Sequence, residues 1–250
     1  MRRRVRPLGG LFVTGTDTGV GKTLVACAIA RWCRQAGLDV GVMKPVATGG
    51  IRAPGHGRRW VSEDALALAE AAGVEDPPEL INPVCFREPL APWTAARRVG
   101  RRIRLTPLVR ACDILRSRHA YVIVEGIGGL LVPVTPRQTV ADLAAWLGLP
   151  LLVVARPGLG TLNHTLLTIE AIRARRLPLH GVVINVSRPP AATPVDRLAE
   201  RTNPTILRRF VSVLGTLPFL PRVHARQETG LAQWLERALG ARTLSALTGV

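Results

Sequence analysis

Residues 15–23 read Gly15-Thr16-Asp17-Thr18-Gly19-Val20-Gly21-Lys22-Thr23, between a short apolar run and a stretch with helical periodicity. No other feature restricts the possible folds as strongly. A glycine-rich turn from strand to helix lets successive backbone N–H groups surround a phosphate, and the helix N-terminus favours negative charge there. Lys22 would reach the β- and γ-phosphates of a nucleoside triphosphate, and Thr23 would offer its hydroxyl to Mg²⁺. Gly15 lies one residue farther from Gly21 than the common Gly-x-x-x-x-Gly-Lys-Ser/Thr spacing, so the loop carries an extra position. Its Gly-Lys-Thr end is intact.

Such a loop belongs in a sheet of parallel strands, and the rest of the chain repeats strand, loop and helix. Short apolar strands are expected at residues 10–14, 40–45, 121–125, 151–155, 181–185 and 211–217. Helices are expected at 23–36 (stopped by Gly37), 62–72 (with Ser62 as N-cap), 106–118, 161–175 and 230–239. Leu162, Leu166, Ile169 and Ile172 share one face of the 161–175 helix. Residues 47–60 read as a mobile loop and 73–99 as an irregular, proline-rich segment. The pattern predicts an α/β fold, P-loop NTPase-like, with a mostly parallel sheet and helices on both faces. The 250 residues are read as one domain, 1–250. Ligands of such sheets bind beyond the carboxyl ends of the strands.

Several function classes recede on composition. The most apolar stretch, residues 140–155, is interrupted by Asp142 and Pro150 and is shorter than the ~20 residues of a spanning helix. Residues 1–7 are basic but no signal-peptide core follows, so a cytoplasmic protein is expected, with no membrane partner. Cys27, Cys33, Cys85 and Cys112 form no Cys-x-x-Cys pair, and Cys27 and Cys33 are expected as buried thiols of one helix. The formal charge of +17 raises a polyanion partner. Its arginines are spread thinly over 2–4, 58–59, 97–104, 173–176 and 208–209, and one tyrosine leaves little for base stacking, so no nucleic-acid partner is expected.

The charge carries a sharper signal in its kind. Of 34 basic side chains only Lys22 and Lys44 are lysines. Arginine replaces lysine poorly where a compact point charge is needed. Lys44 closes the second expected strand in Lys44-Pro45-Val46-Ala47-Thr48-Gly49, and adjacent strands would bring it beside the phosphate loop. A cation there could neutralise a transferring phosphoryl group or an anionic nucleophile. Two carboxylates are candidates for the metal: Glu125 at the end of an apolar strand, followed by Gly126, Ile127, Gly128 and Gly129, and Asp64 at the start of a helix.

Together these segments resemble dethiobiotin synthetase. That family carries Gly-Thr-x-Thr-x-Val-Gly-Lys-Thr (here Gly15 to Thr23), Lys-Pro-Val-x-Ser/Thr-Gly (Lys44 to Gly49), Asp-Ala-Leu (Asp64 to Leu66), Glu-Gly-x-Gly-Gly (Glu125 to Gly129) and Leu-Gly-x-x-Asn-His (Leu159 to His164). The resemblance implies a synthetase that takes 7,8-diaminononanoate, CO₂ and ATP with Mg²⁺ and closes a cyclic urea. It implies catalytic roles for Lys44, Lys22 and Thr18, and metal ligands Thr23, Asp64 and Glu125. It places the nucleotide on Gly19, Val20, Gly21, Lys22, Thr23, Leu24, Asp64, Glu125, Gly126, Ile127 and Gly128. Asn185, Val186, Pro218, Phe219 and Leu220 would surround the base. Thr48 would contact the diamine, and Gly160, Thr161 and Asn163 would receive its carboxylate across the interface of a homodimer. The chain departs from the family at Ile127, where Ala is usual, at Trp93, where His is usual, and in its weakly matching C-terminal segment.

Two other readings share the early motifs. A cobyrinate-type amidoligase normally carries a glutaminase domain for which this chain has no room. A partitioning-type P-loop ATPase that binds DNA carries a signature lysine near the start of its loop, where this chain has Thr16-Asp17-Thr18.

Overall fold

The computed structural model describes residues 9–189, 193–220 and 230–249. The basic run 2–4 and the expectation for residues 1–7 lie outside them. From the first strand, β1 (Gly9–Gly15), the chain turns into α1 (Lys22–Gln35), then β2 (Val40–Met43) and β3 (Val46–Thr48). Helix α2 (Glu63–Ala72) follows, with the Ser62 hydroxyl accepting the Ala65 N–H as its N-cap. Then come α3 (Pro78–Ile81), β4 (Val84–Phe86), α4 (Pro92–Arg98), α5 (Leu105–Arg118), β5 (Tyr121–Gly129) and α6 (Val140–Leu147). The remainder is β6 (Leu151–Ala155), α7 (Thr161–Ala174), β7 (Leu179–Asn185), α8 (Pro194–Leu207), β8 (Val213–Leu217), α9 (Leu231–Leu239) and α10 (Ala241–Thr248).

Six strands form one sheet in the order β2-β5-β1-β6-β7-β8, and every neighbouring pair is parallel. The expected P-loop NTPase-like α/β fold is observed. Alternation along β1 divides the core between the faces: Leu11 and Val13 pack with α1, α2 and α9, and Phe12 packs with α5, α6 and α7. Both faces are therefore covered, which explains why the strands are apolar on both sides. Ile169 and Ile172 of α7 are buried in the second cluster, with Leu162 and Leu166 packed against it.

The structure corrects several sequence expectations. The second strand ends at Met43, and Lys44-Pro45 leads into β3, which pairs in parallel with β4 as a separate two-stranded sheet. Residues 47–60 are thus not wholly a loop: Ala47 and Thr48 lie in β3, and Ile51 bridges Val61. The proline-rich segment 73–99 holds α3, β4 and α4. Proline occupies the first turn of both helices, where it costs no hydrogen bond. Helices α6, α8 and α10 were not anticipated. Strand β5 lies between β1 and β2, so Lys44 does not come from the strand next to the phosphate loop. All four cysteines are free thiols; Cys27 and Cys33 are buried, and burial pushes the Cys33 thiol up to about 12.

Far from the loop, His119 ties three segments together. Its Nδ1 meets Asp39 at 2.8 Å and its Nε2 meets Asp76 at 2.7 Å, with Arg118 also 3.0 Å from Asp76. Burial works against a charged imidazole, but the two carboxylates outweigh it and raise the His119 pKa. The sign follows from linkage: the contribution is complete below the unfolded-state pKa of about 6.5 and fades as pH rises through the higher folded value. His119→Gln should therefore lower the melting temperature more at pH 6 than at pH 9. Equal losses at both would show that the ring acts through packing alone.

Candidate active site

The loop after β1 is shaped by glycine at two backbone positions that other residues rarely adopt. Gly19 has φ 74° and Gly21 φ 91°. A Cβ on Gly21 would also collide with the side-chain amide of Asn185. Gly21 is the N-cap of α1, so no side chain caps the helix, and no acidic residue occupies its first turn. The opening N–H groups of α1 are thus left for an anion. Lys22 Nζ donates to the Asp17 carbonyl at 3.0 Å, drawing the ammonium back over the loop. Burial foremost, and the neighbouring Lys44, lower the Lys22 pKa against the pull of Glu125.

Beside the loop lies a compact ionic group. Lys44 Nζ donates to Glu125 Oε1 at 2.6 Å and to the Gly126 carbonyl at 3.2 Å, and pairs with Asp64 Oδ2 at 2.9 Å. The Thr23 hydroxyl donates to the same Glu125 Oε1 at 2.9 Å. Lys44 and Glu125 are 3% and 1% exposed, whereas Asp64 opens to solvent. Burial disfavours the Lys44 ammonium, but Glu125 and Asp64 prevail and raise its pKa. Burial would raise Asp64, yet Lys44 overrides it and holds this carboxyl below its ordinary range. Glu125 is pushed up by burial, with Lys44 opposing. Lys44 thus meets the loop through Glu125, the first polar side chain at the end of the intervening strand.

A cavity of about 700 Å³ opens over this group. Thr18, Gly19, Gly21, Lys22, Thr23 and Leu24 line it together with Lys44, Asp64 and Glu125. Thr48, Ile127, Gly128, Asn185, Val186, Phe219 and Leu220 line it as well. Val20, Gly126 and Pro218 support the wall. The Val20 carbonyl accepts Asn185 Nδ2 at 2.9 Å, the Gly126 carbonyl accepts Lys44, and the Pro218 carbonyl accepts the Trp234 indole at 3.3 Å. Asn185 is fully buried, and its Oδ1 has no hydrogen-bond partner.

Gly160, Thr161 and Asn163 stand apart. Gly160 caps α7 at φ 84°, Thr161 is buried against Thr165, and Asn163 is exposed; none lines this cavity. Sequence reasoning missed Ala47, Val132, Ser187 and the apolar run Pro89, Leu90, Ala91 and Pro92, which also line the cavity. The signal for the apolar run was proline at the start of α4, which read as irregular chain rather than as a helix entry, and Ala47 lay inside the Lys44-to-Gly49 motif.

Among the described residues no three His, Cys, Asp or Glu side chains gather around one point. The donor set at the loop is different in kind: one hydroxyl and two carboxylates, all hard oxygens of the type magnesium takes. Glu125 Oε2, buried and without a hydrogen-bond partner, leaves an unsatisfied acceptor in that group. The residues fit a magnesium ion held with a nucleotide.

Comparison with known proteins agrees with this geometry. The family described as an AAA domain matches residues 9–227. An ATP-dependent dethiobiotin synthetase BioD of Anaeromyxobacter dehalogenans (strain 2CP-C) is 56% identical over 180 residues, 72% of this chain and 78% of that protein. One from Anaeromyxobacter sp. (strain K) is 47% identical over 93% of this chain and 98% of its own length. One from Bacillus licheniformis is 40% identical over 84% and 86%. Among solved structures, cobyrinic acid a,c-diamide synthase from Mycobacterium smegmatis with bound ADP and magnesium shares the fold. Its TM-score is 0.53 at 15% identity, covering 91% of both chains.

Proposed function

The chain belongs to the ATP-dependent dethiobiotin synthetases, ligases of biotin biosynthesis, and on that premise we propose how its residues carry the reaction. One amine of 7,8-diaminononanoate takes up CO₂ as a carbamate, releasing a proton. The carbamate oxygen attacks the γ-phosphorus of ATP and ADP departs. The second amine then attacks the carbonyl carbon of this mixed anhydride, expelling phosphate and closing the cyclic urea.

The observation that carries this reading is the placement of Lys44 between Glu125 and Asp64, beside the loop that holds Lys22 and Thr23. Carbamate and γ-phosphate are both anionic and repel one another; two ammonium groups at the meeting point offset that repulsion and stabilise the charge that moves between them. Lys22 would follow the phosphates, Lys44 the attacking oxygen, and Thr18 the loop side of the same space. Thr23, Asp64 and Glu125 would hold Mg²⁺, which when bound neutralises phosphate charge. Thr48 would orient the diamine. The buried Oδ1 of Asn185 would accept from the base's exocyclic amine, with Val186, Pro218, Phe219 and Leu220 enclosing it.

Gly160, Thr161 and Asn163 find their role only across a twofold. We infer a homodimer in which this segment, opening α7, receives the substrate carboxylate of the partner's site. Light scattering should return twice the chain mass; a monomer at assay concentration would remove these three residues from the site. An enzyme that consumes ATP also works where ATP is supplied, in the cytoplasm. The curated relatives set aside both the DNA-partitioning and the cobyrinate readings.

The decisive assay measures ADP release with Mg²⁺, ATP and bicarbonate, with and without the diamine, and detects dethiobiotin by mass. Diamine-dependent ADP matched by dethiobiotin is expected. ADP release indifferent to the diamine would leave a nucleotide hydrolase and sink the proposed reaction.

A further inference from the structure

Lys44 stands one residue past the last ladder position of β2, and Pro45 after it has no N–H. The main sheet therefore does not fix its backbone. Two contacts from the end of α3 do: Lys44 N–H donates to the Ile81 carbonyl at 2.7 Å, and Asn82 Nδ2 donates to the Lys44 carbonyl at 2.7 Å. The second Nδ2 hydrogen goes to the Val84 carbonyl at 3.2 Å, so one amide joins the turn after β2 to the start of β4.

Asn82 is 6% exposed, and its Oδ1 is buried with no hydrogen-bond partner. Turning the amide over would set that oxygen against two carbonyl oxygens, so the orientation is fixed by its surroundings. The side chain is thus held there by its two donors, with its acceptor left unmatched. Few side chains meet the requirement. Lysine or arginine could donate to both carbonyls but would add a positive charge behind Lys44, whose own charge is already matched by Glu125 and Asp64. Aspartate supplies no donor when ionised, and leucine none at all.

We propose that Asn82 is a positioning residue for the synthetase reaction, acting through Lys44 by fixing the backbone from which the ammonium reaches Glu125 and Gly126. This rests on the reading that Lys44 acts on the reacting anions. Without the amide, the Lys44 carbonyl loses its Asn82 donor and the turn shifts. A displacement of the order of 1 Å at a charged group can cost about a hundredfold in rate.

The test is a double-mutant cycle of Asn82→Leu and Lys44→Gln in the full-length enzyme, followed by steady-state release of labelled phosphate over a range of ATP concentrations. Asn82→Leu should lower kcat about ten- to a hundredfold and leave the KM for ATP unchanged, because the phosphate loop is untouched. In the Lys44→Gln background the same change should cost almost nothing further. Equal losses in both backgrounds, or a raised KM with kcat intact, would make Asn82 a structural residue and overturn the proposal. A Lys44→Gln single variant at the wild-type rate would instead break the premise, a separate and recognisable failure. If Asn82→Leu does not fold, Asn82→Ser, which keeps one shorter donor, runs the same cycle. It should give a smaller kcat loss that again vanishes without Lys44, and persistence of that loss would count against the role.

Discussion

Lys44→Arg should lower turnover about a hundredfold or more, the scale seen when one preorganised donor is removed from a developing charge, while ATP affinity barely moves. Charge is conserved, so any loss reports shape. The Lys44 ammonium is 3% exposed and donates at once to Glu125 Oε1 and the Gly126 carbonyl while pairing with Asp64. A tetrahedral –NH₃⁺ can share three hydrogens among three oxygens at one point. A guanidinium is planar, longer and spreads its charge over three nitrogens. To fit, it must push β3 or Glu125 aside, moving the positive centre away from the place where carbamate and phosphate meet. On the proposed reading ATP is held by the loop and Lys22, which the change does not touch. Calorimetric titration of a non-hydrolysable ATP analogue with a parallel rate assay checks both halves. Turnover at the wild-type rate would remove Lys44 from the mechanism.

Glu125→Ala should be the most destabilising single change at the site. Removing one partner of a buried pair leaves the other charge uncompensated and costs about 3–5 kcal/mol. Asp64 remains, but it opens to solvent and only partly replaces the lost carboxylate. For a chain of this length that energy lowers the melting temperature by roughly 6–20 °C, at about 2–4 °C per kcal/mol. Glu125→Gln keeps the shape and an oxygen for Lys44, so its loss should be smaller. Both should also weaken the dependence of turnover on Mg²⁺ concentration. Scanning calorimetry reads the first effect, and an Ala variant melting with the wild type would mean that Lys44 is not held by Glu125 in solution.

The site was legible in the sequence wherever chemistry dictates residue type. The loop could be read because surrounding a phosphate with N–H groups demands glycine, and closing it demands Lys22 and Thr23. Asp64 could be placed because Ser62 announces a helix start two residues earlier. Lys44 could be read against a background of arginine. The neighbour relations of the strands could not. Lys44 was expected beside the loop by strand adjacency, yet it arrives through Glu125 because β5 is interposed. Spatial order in a parallel sheet depends on which crossovers pack, and local periodicity does not record that.

Short elements held by tertiary contacts were equally hidden. Strand β4 and helix α3 have three and four residues, too few to show a period, and α4 begins at a proline that reads as a break. In the apolar stretch 140–155, helix α6 and strand β6 run together because Gly148 and Pro150 are their only separators. Pro204 lies inside α8, in the last turn before its end at Leu207, and a proline there reads as a break. Asn82 fell in the segment read as irregular, and nothing in its local sequence says that its amide reaches Lys44.

The position of β1 also governs when the enzyme can exist. This strand is the first element, and its hydrogen-bonding neighbours are β5 and β6, with Gly9 opposite Tyr121 and Phe12 opposite Leu151. On the ribosome Leu11, Phe12 and Val13 are made early and wait for partners more than a hundred residues downstream. At about 5–20 residues per second the delay is on the order of ten seconds. Throughout it the phosphate loop hangs from an unpaired strand, Glu125 has not been synthesised, and Lys44 has no carboxylate from β5 to meet. A nascent chain cannot hold its nucleotide until the middle of the sequence has emerged. Premature termination before β5 would therefore leave an apolar strand with no sheet to join, a substrate for chaperones and proteases rather than a weakened enzyme.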